Sequence, residues 1–163
     1  MNHKKKFRNK GAIGALLDEY EKAINELVET INNISEKELA KIIDFETDDE
    51  DCKSIQSILT HTVQSGYNYI VEIRMWLGES LEYRNKINFQ TIEDYKYALQ
   101  EMFKCNEQLL MDYPNIELCE NDPNKKINVR WGQNYDVEQL LEHAILHILR
   151  HRRQIEKIKL KIS

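Results

Sequence analysis

The sequence is poor in residues that break, kink or staple a chain. It has five glycines and two prolines in 163 residues, which excludes collagen-like and Pro/Gly-rich disordered classes. Its three cysteines, Cys52, Cys105 and Cys119, are an odd set with no CxxC pair. A disulfide framework is therefore not expected, and a reducing cytosol fits better. No apolar run reaches the length of a membrane span. The opening MNHKKKFRNK is not followed by an apolar segment of signal-peptide type. The expectation is a cytoplasmic soluble protein with no membrane partner.

What remains is rich in charge. Charged residues make up 31% of the chain and apolar residues 41%, with a formal net charge of -5. An acidic chain is not the profile of a general nucleic-acid binder. The charge is uneven. Lys4, Lys5, Lys6, Arg8 and Lys10 make a basic tail over residues 1–10, expected to be flexible, with His3 solvated inside it. Arg150, Arg152, Arg153, Lys157, Lys159 and Lys161 make the C-terminal end basic. There they suit a helix C-terminus and solubility. The acidic cluster Glu46, Asp48, Asp49, Glu50 and Asp51 lies between and reads as a loop. The length fits one domain, 1–163, with a real core.

Hydrophobic periodicity predicts four long helices. The first spans about 11–33 and carries Leu16, Leu17, Tyr20, Ile24, Leu27, Val28 and Ile31 on one face. The short SEKELAKII follows, with Ser35 and Glu38 in a capping-box pattern. The second long helix starts near Ser54, packs Ile55, Ile58, Leu59, Thr62, Gly66, Tyr69, Ile70, Ile73 and Leu77, and stops at Gly78. The third runs from Thr91 to about Asp112, before Pro114. In the loop 113–134 the run INVRWGQ reads as extended, with no second strand to pair with. The fourth helix starts at Asp136, capped with Gln139, and runs almost to the end. The fold class is all-α, a single four-helix bundle.

Three of the five histidines fall every fourth residue in EHAILHILRHRRQIE, residues 142–156. Leu141, Ile148, Ile155 and Ile162 are spaced by seven, as are Val137, Ala144, His151 and Ile158. These are the two seams of a buried heptad stripe. His151 replaces an apolar residue in the stripe, and His147 flanks it. The pair is roughly 40° and one turn apart, so both imidazoles can meet one point. His143 falls roughly 130° from the stripe centre and should face outward. A His-x3-His pair presents two nitrogen ligands to a metal. It equally describes core histidines hydrogen-bonded to a neighbouring helix, and periodicity does not choose. His61, on the second long helix, lies roughly 120° from its stripe centre. It faces inward only if that helix is buried between two neighbours.

The segments SIQSILTHTVQSGYNYI and YDVEQLLEHAILHILRHRRQIE resemble the second and final helices of the DinB-like (YfiT-like) metal-dependent family. That family's pattern in the last helix is H-x3-H-x2-H-H-R-G-Q. The corresponding residues here are His143, His147, Arg150, His151, Arg152, Arg153 and Gln154. Arg150 stands where a histidine is common, and Arg153 replaces the usual glycine. The resemblance implies a four-helix bundle with crossover connections and a metal site of His61, His147 and His151. It implies a homodimer and a small-molecule substrate. It also implies a metal-dependent hydrolase, or a transferase using a low-molecular-weight thiol.

Three imidazoles around a divalent ion, zinc or nickel, leave a coordination position open, the pattern of a catalytic site. The ion would activate water or a thiolate. A metal- or small-molecule-binding protein without catalysis, and an interaction domain with vestigial histidines, stay open as alternatives. Trp131, Gln133 and Tyr135 either border a cavity or pack a loop on the helices. Tyr69 reads as core, and Glu142 as surface. No carboxylate is placed to be named a general base, and no cysteine sits in a nucleophile motif.

Overall fold

The long helices begin where side chains satisfy their free backbone amides. Ser54 and Ser57 form a reciprocal cap at the start of α3 (Ile55–Trp76). Thr91 caps α4 (Ile92–Asp112) through the Asp94 amide. Asp136 accepts from the Gln139 amide at 2.8 Å at the start of α5 (Val137–Ile162), while Gln139 Oε1 accepts from the Asp136 amide. The same chemistry, a Ser35–Glu38 capping box, starts the short α2 (Glu36–Ala40). These caps supply hydrogen bonds that the first helical turn cannot make for itself. α1 spans Gly11–Ile31. The computed structural model describes residues 7–8 and 11–162. His3, Lys4, Lys5, Lys6 and Lys10 lie outside the described residues.

The chain is mostly helical. Helix α1 packs against α4 and α5, and α3 packs against the same two. Leu17, Tyr20, Ile24, Leu27 and Ile31 of α1 are buried. So are Leu141, Ile148 and Ile155, and Val137, Ala144, His151 and Ile158, of α5. The two heptad seams therefore face the core as their spacing requires. Among the described residues no helix is long and apolar enough to cross a membrane.

Two expectations change. Arg8 is not a solvated tail residue. It bonds Asp18 at 2.7 Å and Glu21 at 2.9 Å on α1, and Glu107 at 2.5 Å on α4. Nor is INVRWGQ unpaired. β1 (Ile127–Asn128) pairs antiparallel with β2 (Asn134–Tyr135), Ile127 opposite Tyr135. The partner strand is the few residues immediately downstream. The turn between them uses Gly132 at φ +85°, a conformation that a side chain disfavours.

Candidate metal centre

Helix α3 is buried over most of its circumference. Besides the expected stripe, Thr60, Val63, Asn68, Val71 and Glu72 are inside. A helix lodged between α4 and α5 has no single solvent face, and this turns His61 toward α5. His61 Nε2 lies 3.0 Å from His147 Nε2, and His151 Nε2 lies 3.1 Å from the same atom. One ligand nitrogen from each residue falls within 4.8 Å of the others, so the three could hold a metal ion. His147 and His151 are buried and His61 is half-buried.

The outer nitrogens set the tautomers. His61 Nδ1–H donates to Asp51 Oδ2 at 3.0 Å. His151 Nδ1–H donates to Gln154 Oε1 at 2.6 Å. With a proton on each Nδ1, both neutral rings turn an Nε2 lone pair inward. His147 Nε2 sits between them. As a donor it can satisfy only one; as an acceptor it adds a third converging lone pair. A cation at the centre resolves this conflict, and an all-imidazole donor set suits a divalent transition-metal ion. His147 Nδ1 is buried without a hydrogen-bond partner. Packing orients that ring, with Tyr69 edge-on at 5.8 Å and His151 edge-on at 4.3 Å between centroids.

Burial keeps the cluster uncharged. Desolvation, reinforced by the neighbouring histidines, pushes the His147 pKa down to about 2. Desolvation takes His151 down to about 4, against the Gln154 hydrogen bond. His61 is lowered by burial, with Asp51 opposing. Neutral imidazoles are the form that binds a metal, so no proton has to be displaced near pH 7.

Asp51 was not legible as a site residue. It belongs to the acidic stretch that reads as a loop, and it is placed by local turns. Asp44 Oδ1 accepts from the Glu46 and Thr47 amides at 3.1 Å, and Asp49 Oδ1 from the Asp51 amide at 3.0 Å. The Ile43 amide donates to Lys53 O at 2.9 Å and closes the segment. A 3-10 turn, Glu50–Cys52, then presents Asp51 to His61, and Lys86 pairs with the same carboxylate. Gln154, by contrast, stands three residues after His151, and that helical spacing was a readable signal.

His143 does not face outward. It is half-buried, with its ring near-parallel to Trp131 (27° between planes, centroids 6.1 Å apart) and 5.5 Å from Tyr69. The heptad places it off the stripe correctly, but the loop 113–134 folds over that flank and covers it. With His61, His147, Ser65, Asn68, Tyr69, Arg130, Trp131, Gln133 and Arg150 it lines a cleft of about 360 Å³. Trp131 and Gln133 therefore border the cavity, and Tyr135 OH lies 3.4 Å from His143 Nδ1. Tyr69 is buried and also lines the cleft. Glu142 is exposed. No aspartate or glutamate is among the residues lining the cleft.

The DinB family model matches residues 1–158 of the chain. No curated protein matches it.

Proposed function

The chain belongs to the DinB family, and from that premise we propose that it is a metal-dependent enzyme acting on a small molecule. The divalent ion, zinc or nickel, is held by His61, His147 and His151. The observation that carries the reading is the convergence of three Nε2 atoms, two of them turned inward as lone pairs by Asp51 and Gln154. The reaction is transfer to or from a low-molecular-weight thiol, or hydrolysis. When bound, the ion supplies Lewis-acid activation of the thiol or water.

The protein's own residues supply the rest. His61 and His147 line the cleft together with the rings of Tyr69 and Trp131. His143, beside His147 and lowered in pKa by burial and then by Arg150, is neutral near pH 7 and is the cleft side chain able to accept a proton. The absence of a carboxylate among the residues lining the cleft leaves His143 as the proton acceptor for either reaction. It also supports a second reading, a metal- or small-molecule-binding protein without turnover.

The same reading takes the four long helices as one four-helix bundle domain with crossover connections, acting as a cytoplasmic homodimer without nucleic-acid partners. The cyclic packing of α1, α4, α3 and α5 supports the bundle. Metal analysis of untagged protein, followed by thiol-conjugation and ester or amide hydrolysis assays on the zinc- and nickel-loaded forms, tests the proposal. About one ion per chain with turnover of a thiol is expected. Bound metal with no turnover across the panel favours the binding reading, and no metal uptake sinks both.

A further inference from the structure

The cleft above the histidines has a charge character of its own. Two arginines, Arg130 and Arg150, line it and no carboxylate does, in a chain of net charge -5. Elsewhere three arginines are spoken for. Arg8, Arg74 and Arg152 each meet carboxylates. The Arg150 side chain makes no hydrogen bond or ion pair with another described residue. It stands on α5 one turn beyond His147, near enough for its charge to be felt at His143, His147, His151 and Tyr69. Arg130 is held in place: its backbone amide donates to Glu72 Oε1 at 3.1 Å, and its guanidinium lies 4.5 Å from the Tyr83 ring centroid.

We propose that this cleft takes a small organic anion. Arg150, assisted by Arg130, holds a carboxylate or phosphate group, and a flat apolar body lies against Trp131 and Tyr69. A guanidinium is planar and presents paired donors that match both kinds of oxyanion. The ring wall is already assembled, with Trp131 5.8 Å from Tyr69 and 6.1 Å from His143. A volume of about 360 Å³ suits a small ligand. Arg150 also stands where the family pattern commonly has a histidine, so the cation belongs to this chain's own chemistry. The inference rests on reading this cleft as the active site.

The test is an NMR titration of full-length protein, both EDTA-treated and zinc-loaded, with benzoate, phenyl phosphate and benzamide. The Trp131 indole N–H is followed, with the Trp76 indole as reference. Both anions should bind with a Kd roughly tenfold lower than benzamide in the two forms, because benzamide lacks the charge. Arg150→Gln should weaken anion binding roughly tenfold and leave benzamide unchanged, with Arg130→Gln a smaller loss in the same direction. The order of the two anions then assigns carboxylate or phosphate. Equal binding of benzoate and benzamide, or of wild type and Arg150→Gln, overturns the proposal. So does anion binding confined to the zinc-loaded form and indifferent to Arg150, which would make the anion a metal ligand only. Failure to load zinc removes the proposed enzyme but leaves the EDTA-treated arm as a complete test of the anion site. Arg130 and Arg150 are exposed, so folding of the variants is not at stake.

Discussion

Asp51 and His61 form a hydrogen-bonded pair across the loop–helix boundary: neutral His61 donates from Nδ1–H to Asp51 Oδ2 at 3.0 Å, and Lys86 pairs with the other carboxylate oxygen. The carboxylate fixes the tautomer that turns His61 Nε2 inward. Partners of this kind commonly set metal affinity by about 10- to 100-fold. Asp51→Ala should therefore weaken zinc binding by about that factor in a competition with a chromophoric chelator, with Asp51→Asn intermediate. Asp48→Ala, exposed in the same loop, should behave as wild type. Unchanged affinity in Asp51→Ala would show that His61 is oriented by packing alone.

His143 separates metal binding from what happens above it. His143→Ala should keep its ion while losing thiol turnover, because His143 lines the cleft yet stands outside the three-histidine group. His147→Ala and His151→Ala should lose the ion and the turnover together. Equal metal loss in all three variants would contradict this division.

His147 is an awkward residue without a cation. Its Nδ1 is buried and unpartnered, and its Nε2 faces two lone pairs. Replacing it by leucine removes buried polar atoms whose desolvation is uncompensated. In EDTA, His147→Leu should be at least as stable as wild type, by up to about 1 kcal/mol in urea unfolding. Zinc should raise the wild-type melting temperature, by about 2.7 kcal/mol of stabilisation at a hundredfold excess over Kd, and leave the variant unmoved. A variant that melts well below metal-free wild type would mean that the imidazole is structurally required.

Gly66 marks the closest approach of α3 to α4. A Cβ there would fall 2.3 Å from Met102 Sδ, and Met102 is fully buried. Gly66→Ala should cost about 1–3 kcal/mol through overpacking, read as a lower urea midpoint. A shorter side chain at Met102 should restore much of it. An unchanged midpoint would show that Met102 has an alternative rotamer to move into.

Arg74 ties the end of α3 to the end of α4. It bonds Glu79 at 2.7 Å and Asp112 at 2.5 Å. Tyr113 first and Arg74 second lower the Glu79 pKa; Arg74 first and Gln108 second lower that of Asp112. A lowered folded-state pKa gives stability that is present above the ordinary carboxylate range and is lost as pH falls through the folded value. The melting-temperature gap between wild type and Arg74→Met should thus be widest near neutrality and shrink below about pH 4. A gap that stays constant with pH would assign the loss to packing of the arginine stem.

Much of the helix layout is written in local chemistry. Caps such as Ser54, Thr91 and Asp136 act within a few residues of themselves. The heptad of α5 fixes which of its residues turn to the core, because rotation about a helix is a local property. That is why His147 and His151 could be paired on one edge from spacing alone. His61 was different. Its wheel position was unfavourable on α3 considered by itself, and only the burial of α3 against both α4 and α5 gave that flank a neighbour.

The sequence by itself determined the helical class, the helix starts, and the His147–His151 edge, since each depends on contacts no more than four residues apart. Tertiary structure decided the rest. It brought His61 to that edge across a separation of 86 positions in the chain, delivered Asp51 from a loop without periodicity, and folded Trp131 over a histidine that the wheel turned toward solvent. Those relations join distant segments, and no local propensity encodes which of two distant side chains will meet.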